Sequence, residues 1–332
     1  MGRMALIIVV GFLIILGLLL YNMHRSGAVA TETAVGHYAK STARLVASTG
    51  AHVAWRMLET TDTVYVVDAP LLKGTYSASM QTIAPDTVRI TAVGKYASKE
   101  SRVIATFWKT IKGVPDVKGT VSLASDTIDV RIMGTPNRYA IDGHNYDLNG
   151  NPVGTGDKPG IVAVSGYDST QAAAYAGQIT GVPQPIGKDT TVKSPTSYVD
   201  ELIANADYRF TGDIPSGNFG TQDKPVIIYC EGDVKLSGNS VIYGIVVVKG
   251  NLVITGTAKF YGLMIAYNDQ VSISVDPAGT ADLYGGLIMA GPAHSTFSMT
   301  GTATFYYSSQ AIDNLRKIQR LRLYALQSWY ES

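Results

Sequence analysis

The sequence predicts an α+β protein with a long N-terminal transmembrane and amphipathic α-helix, an antiparallel β-meander and a short C-terminal β-solenoid (β-helix) with a capping helix. Three observations lead to this fold class. The first 21 residues are almost entirely apolar, and no proline follows between Asn22 and Leu58. After Leu58 apolar and polar residues alternate, which is typical of strands. From residue 226 onward one short pattern occurs four times.

The N-terminal segment, residues 1–60, begins with an apolar run. Met4 to Tyr21 are 18 residues without a charge, and as a helix they span about 27 Å, close to the apolar thickness of a bilayer. A signal peptide fits less well, because only Arg3 precedes the run and the run exceeds about 15 residues. A loose helical pattern continues to about residue 58, so we expect one long helix, which Gly27, Gly36 and Gly50 can bend.

The composition favours a polar, weakly charged surface. Of 332 residues 16% are charged and the net charge is +1, against about 25% charged residues in average soluble proteins. The chain therefore lacks the strong positive charge that would indicate nucleic acid as a partner. Cys230 is the single cysteine and lies in the apolar run VIIYC, so we expect a buried thiol.

The middle of the chain divides into two predicted regions. Residues 61–140 contain alternating segments, among them TVRITAVGKY and RVIATFWKTI, and are predicted to form a β-meander packed on the amphipathic half of the helix. Residues 141–224 are rich in Gly, Pro and Asp and are predicted to form a connecting region between the meander and the repeat. This region is predicted to contain short helices at TQAAAYAGQI and SYVDELIANA. Within them DGHNYDLNGN lacks the spacing of a calcium loop, and a tight turn is favoured over a metal site.

The repeat occupies residues 225–310. Each step from one glycine to the next equals the step between the corresponding tyrosines, although the steps themselves differ in length. The glycines are Gly238, Gly256, Gly279 and Gly301, and the tyrosines are Tyr243, Tyr261, Tyr284 and Tyr306. Short strands with matching columns predict stacked coils of a β-solenoid, with glycine at a corner that needs positive φ. A β-sandwich with coincidental similarity is the alternative.

Each coil also contains an alternating triplet before its glycine. The triplets are VKL at 234–236, LVI at 252–254, VSI at 271–273 and FSM at 297–299, and their first and third residues are predicted to face inward. The tyrosines are predicted to form a packing column at the solenoid corner, and the alternative is an aromatic ladder for sugars. Residues 311–332 have helical spacing and are predicted to form an amphipathic helix that caps the solenoid.

Motifs for catalysis are not found. The sequence has no H-E-x-x-H, G-x-S-x-G or phosphate-binding loop motif, and its five histidines are scattered. We therefore expect no enzyme activity, no catalytic residue, no metal site and no cofactor.

Two stretches resemble a known family. A transmembrane helix that continues into a soluble amphipathic helix and is followed by a β-sheet resembles the type IV pilin architecture. GRMALIIVV and the long helix after it resemble the N-terminus of PilX-type pilus assembly proteins, and IIYCEGDVKLSGNSVIYGIVVVKGNLVITGTAKFYGLMI is similar to the solenoid-like module often attached to them. The resemblance implies processing after Gly2, which leaves Arg3 first. Many pilins have Glu at the fifth mature position, where this chain has Ile7.

The resemblance implies a structural role. It predicts a major or minor pilin-like subunit of an extracellular type IV pilus-related filament, held in the inner membrane before assembly. The expected partners are copies of itself, other pilins and the inner-membrane assembly machinery. The residues predicted for assembly in the filament core are Ile7, Val10, Phe12, Leu16, Leu20 and Tyr21. The alternatives are a membrane-anchored adhesin or polysaccharide-binding module and a β-helix carbohydrate-active enzyme.

Overall fold

The computed structural model describes residues 2–58, 61, 63–84, 86–125, 127–133 and 140–332, with side chains from residue 7 onward. Over these residues the fold is α+β, with a long N-terminal helix and many strands. The chain forms two compact units. The first unit comprises residues 1–109 and 324–332, and the second unit comprises residues 110–323.

The helices are α1 Gly2–Met57, α2 Gly166–Ala173, α3 Val199–Ala204 and α4 Ser309–Asn314. The strands are β1 Tyr65–Leu71, β2 Gly74–Ala84, β3 Thr87–Tyr96, β4 Lys99–Ile111, β5 Val121–Leu123, β6 Ile128–Met133, β7 Ile141–Asn145, β8 Ile161–Ala163, β9 Ile179–Thr180, β10 Ile186–Lys188, β11 Tyr208–Phe210, β12 Asn218–Phe219, β13 Val226–Glu231, β14 Val234–Leu236, β15 Val241–Lys249, β16 Leu252–Ile254, β17 Lys259–Tyr267, β18 Ser274–Pro277, β19 Asp282–Ala290, β20 Ser295–Thr300, β21 Thr304–Tyr307 and β22 Arg322–Glu331.

In the first unit the second half of α1 packs on an antiparallel sheet. The strands pair in the order β1-β2-β3-β4-β22, and α1 lies against β2 and β3. Its buried residues are small, among them Ala43, Ala47, Ala51 and Ala54, so the helix backbone comes close to the sheet. Gly94 in β3 makes the closest approach, because a side chain there would overlap the backbone of α1.

The second unit is a stack of parallel strands. One 12-stranded sheet has the main order β10-β8-β5-β19-β17-β15-β13-β11, and a five-stranded sheet has the order β14-β16-β18-β20-β6. The largest apolar core of the described residues lies between the two sheets and includes Leu252 of β16, Phe260 of β17 and Phe297 of β20. Cys230 lies in this core with no exposed surface, as predicted, and its burial raises the pKa of the thiol to about 12.

The triplet of the third coil is displaced from its predicted position. The predicted inward residue Val271 is 63% exposed, whereas Val275 is fully buried. Val275 pairs with Leu252 on one side and with Phe297 on the other. Residues 268–272 form a longer corner in this coil, and the same extra length produces the wider sequence step between Gly256 and Gly279.

The prediction of one β-meander over residues 61–140 is wrong beyond β4. Strand β5 pairs in parallel with β19, and β6 pairs in parallel with β20. Both strands therefore belong to the stack in the second unit. Alternation of apolar residues indicated strands here, but it does not determine the sheet that a strand joins.

Residues 141–224, predicted as a connecting region, also contribute strands to the 12-stranded sheet. Strand β8 pairs with β5, β10 pairs with β8, and β11 pairs with β13 at the opposite end of the sheet. The two predicted short helices are present as α2 and α3, although α2 begins before the predicted segment, at Gly166. Only parts of this region between the short strands are connections.

The predicted capping helix over residues 311–332 is also wrong. Only α4 is α-helical, and 3₁₀ turns follow at Leu315–Lys317 and Gln319–Leu321. Leu315, Ile318 and Leu321 are buried on the outer face of the 12-stranded sheet, and their regular spacing suits a 3₁₀ turn as well as an α-helix. The rest of the segment forms β22, which completes the sheet beside β4. It contains Tyr324, Trp329 and Tyr330, and aromatic residues of this kind favour strands.

Candidate functional site

The candidate functional site is the apolar half of α1. The six predicted assembly residues, Ile7, Val10, Phe12, Leu16, Leu20 and Tyr21, are between 40% and 70% exposed. The apolar residues between them are exposed as well, so this part of the helix is apolar on every face. The side chains of Gly2 and Arg3, at the predicted processing position, lie outside the described residues.

This surface has the length and hydropathy of a membrane span. One helix among the described residues meets both criteria, with a window of mean hydropathy 2.3 that has no buried residue. Burying a large apolar side chain gains about 1.5–3 kcal/mol relative to water. A continuous surface of such side chains therefore requires lipid or protein around it.

Between the apolar half and the sheet, α1 stays uncovered. Burial in the helix begins at Ala39, and the residues from 22 to 38 are exposed or half-buried. The glycines predicted to bend the helix do not interrupt it, since α1 is continuous from Gly2 to Met57. Gly27 and Gly36 have open space around them, whereas Gly50 packs against the ring of Tyr76.

The four repeat tyrosines form one column in the second unit. Tyr243, Tyr261, Tyr284 and Tyr306 occupy equivalent register positions in neighbouring strands. Their ring centroids are 4.6, 5.2 and 5.0 Å apart, with interplanar angles of 10°, 11° and 19°. Offset stacking of this kind adds to the stability from burial alone. Burial, followed by the neighbouring Tyr243, raises the pKa of Tyr261.

The tyrosine column is covered rather than open. Ala311 and Asn314 of the α4 segment line the same small gap as Tyr243 and Tyr261. At the other end the ring of Tyr146 meets Tyr306 edge-on at 4.9 Å. The four half-buried rings therefore pack on one another and against residues from outside the repeat. Tyr146 lies outside the repeat, so no periodicity indicated that it joins the column.

The repeat glycines lie between strands, at corners with positive φ. Gly238, Gly256, Gly279 and Gly301 have φ between 76° and 83°, a left-handed conformation that glycine adopts without strain. In the later three, an added Cβ would stand about 3 Å or less from the backbone of the preceding corner. Glycine is thus required both by the turn and by the spacing of the coils.

The first four residues of DGHNYDLNGN lie in β7, and the rest form a hydrogen-bonded turn. The Asp142 carboxylate accepts hydrogen bonds from the His144 backbone and from the Tyr146 hydroxyl. The Asp147 carboxylate accepts from the backbone amides of Asn149 and Asn151, and the hydrogen bond from Asn151 lowers its pKa most. Among the described residues no group of three or more His, Cys, Asp or Glu is arranged to hold a metal ion.

A shallow groove crosses the outer face of the five-stranded sheet. It has a volume of about 400 Å³ and is lined by Asp213, Asp233, Lys235 and Asp276 together with neutral residues. Asp213 and Asp233 each accept a backbone hydrogen bond from the next coil, at Lys235 and Asn251. The carboxylates of Asp213 and Asp233 therefore join neighbouring strands of the stack.

Comparison with known proteins gives a structural similarity but no similarity in sequence. No protein-family model and no curated protein sequence matches the chain. Among solved structures, the chain is similar to the competence-associated pilin ComZ from Thermus thermophilus, with 10% sequence identity over 89% of this chain and 98% of that chain. The TM-score is 0.25, which is too low for any conclusion to rest on it.

Proposed function

We propose that the chain is a structural, pilin-like subunit of an extracellular type IV pilus-related filament. One observation supports this above all others: α1 is exposed and apolar on every face over its first part, and from Ala39 onward one of its faces is buried against its own sheet. Such a helix suits two environments in succession. Lipid surrounds it before assembly, and the same helix of other copies surrounds it afterwards.

The second unit also has a role in the proposed subunit. The parallel stack would be a β-solenoid head that is presented outward, and its covered tyrosine column would act as a stiffener. Processing after Gly2 would leave Arg3 as the first residue. The subunit would have no catalytic activity and no cofactor, and its partners would be copies of itself and other pilins.

The decisive experiment follows the full chain through cell fractionation. A tagged protein is tracked in inner-membrane fractions and in filaments sheared from the cells, with immunogold labelling of the filaments. We expect label along the filaments and an N-terminal sequence that begins at Arg3. Protein found only in inner membranes while filaments are present contradicts the proposal.

Two variants refine this experiment. Leu16→Lys places a charge at the middle of the exposed apolar surface and is expected to remove the protein from sheared filaments, because a buried charge there is costly. Leu16→Ile keeps the size and polarity of the side chain and serves as the matched control, with filaments at the wild-type level. Equal amounts of filament from both variants would show that this surface does not assemble.

A further inference from the structure

Helix α1 contains a single carboxylate. Glu32 is the only Asp or Glu between Gly2 and Met57, and it lies in the stretch that the protein leaves uncovered. Its side chain is exposed and forms no ion pair within the described part of the chain.

Two cations flank Glu32 and, among the residues that the structure describes, are equally unpaired. Arg25 lies on the N-terminal side of Glu32 and Lys40 on its C-terminal side, and both side chains are exposed. The next cation of the helix, Arg44, is already paired with Glu331. At a rise of about 1.5 Å per residue, the two flanking cations stand about 10.5 Å and about 12 Å from Glu32 along the axis.

The three charges share one side of the helix. At about 100° per residue, Arg25, Glu32 and Lys40 fall within an arc of about 80°. This arc continues along α1 into Ala43 and Ala47, which are buried against the sheet of the first unit. The charged side is thus the continuation of a packing face, at the point where the protein no longer covers it.

We propose that Glu32 sets the axial stagger between neighbouring copies, by pairing with Arg25 of one neighbour and Lys40 of the other. The inference rests on the proposed filament. When parallel helices are displaced by a constant step, the copy one step ahead brings its Arg25 level with Glu32. The copy one step behind brings its Lys40 level with the same carboxylate. A single step of about 10.5–12 Å satisfies both pairs.

A second copy fits this surface better than an anionic lipid headgroup. Lipid phosphates attract Arg25 and Lys40 but repel Glu32, which stands between them. A staggered copy supplies a cation for every carboxylate. The exposed side chains of Val29 and Val35 exclude water once helices pack beside them, and a carboxylate left unpaired in that contact is costly. Other staggers are therefore disfavoured.

The test is a charge-swap series in the full chain. Glu32→Arg is expected to reduce sheared filaments at least about tenfold, since three neighbouring copies then each place one cation at the same level. Adding Arg25→Glu or Lys40→Glu restores one of the two contacts and is expected to recover part of the yield. The triple variant restores both contacts and is expected to recover most of it. Asp269→Arg, the same charge reversal at an exposed residue of the second unit, is the matched control.

Two readouts separate the possible failures. Circular dichroism of the solubilised variants should match that of the wild type, because all three side chains are exposed. In electron micrographs the wild-type filament should have an axial step of about 10.5–12 Å. If wild-type filaments form and Glu32→Arg assembles normally, or if no swap recovers assembly, the stagger mechanism is overturned. If the wild type never enters filaments, the proposed function itself fails.

Discussion

Gly94 of β3 lies directly against α1: a methyl group added there would stand 2.5 Å from the carbonyl oxygen of Ala43. The sheet and the helix backbone are therefore in contact without an intervening side chain. We expect Gly94→Ala to lower the free energy of unfolding of the first unit by about 2–3 kcal/mol, since neither backbone can withdraw without losing packing.

Thermal or urea unfolding of the solubilised full chain measures this effect. The matched control is Gly27→Ala, at a helical glycine with open space around it, which is expected to be neutral or to stabilise by up to about 1 kcal/mol. If both variants unfold together with the wild type, the close approach of β3 to α1 is incorrect.

The third coil allows a test of its register. Val275 is fully buried between Leu252 and Phe297, whereas Val271 is 63% exposed. Val275→Ala is expected to destabilise the second unit by about 2 kcal/mol through lost burial and the cavity left behind. Val271→Ala is expected to change its stability by less than about 0.5 kcal/mol. A larger cost at Val271 would restore the register first predicted from the VSI triplet.

The contribution of the tyrosine column to stability can be tested at Tyr261, one of its two interior members. Tyr261 stacks on Tyr243 and Tyr284, so Tyr261→Ala is expected to cost about 2–4 kcal/mol in unfolding free energy. Tyr261→Phe keeps the ring and is expected to cost less than about 0.5 kcal/mol. Near-ultraviolet circular dichroism should change more in the first variant than in the second, because only the alanine also removes the ring on which Tyr243 and Tyr284 stack. A large cost for Tyr261→Phe would mean that the hydroxyl, and not the ring, holds the column.

The pairing of Glu331 predicts a pH dependence in the first unit. A hydrogen bond from the Trp329 indole, followed by Arg44, holds the pKa of Glu331 below its usual value of 4.5. A lowered pKa in the folded state means that the stabilisation is present above about pH 4.5 and is lost as the pH falls below it.

Melting curves of wild type and Glu331→Gln between pH 3 and pH 7 check this expectation. The wild type should be more stable at neutral pH, by at most about 1 kcal/mol because Arg44 is exposed. The difference should shrink in acid. A difference that stays constant across this range would show that the ion pair contributes nothing to the first unit.

Local pattern predicted most of the elements but not their partners. The long helix, the strands at TVRITAVGKY and RVIATFWKTI and the columns of glycine and tyrosine follow from periodicity alone, because each depends on residues close in sequence. The prediction that Val271 faces inward is wrong, because local alternation does not determine how far the buried residue lies from the corner glycine. The wider step of both columns between the second and third coils already pointed to Val275.

Long-range partners were not accessible in this way. Strand β5 lies far before its partner β19 in the chain, and no spacing rule connects the two. The cover over the tyrosine column depends on Tyr146 and α4, which lie outside the repeat. At the apolar half of α1, by contrast, composition alone indicated a surface that needs lipid or protein around it, and the exposed side chains agree with that expectation.

The pairing of β5 with β19 also constrains how the protein reaches its native state. Strands β5, β8 and β10 emerge from the ribosome before β19, yet the sheet holds them in place through β19, which is completed only at residue 290. Until β19 is synthesised, one edge of β5 has no partner. Contacts between strands so far apart in sequence make folding slow. A chain truncated before β19 would leave the edge of β5 bare and prone to aggregate. The second unit is therefore expected to fold in one late cooperative step, after nearly the whole chain has been synthesised.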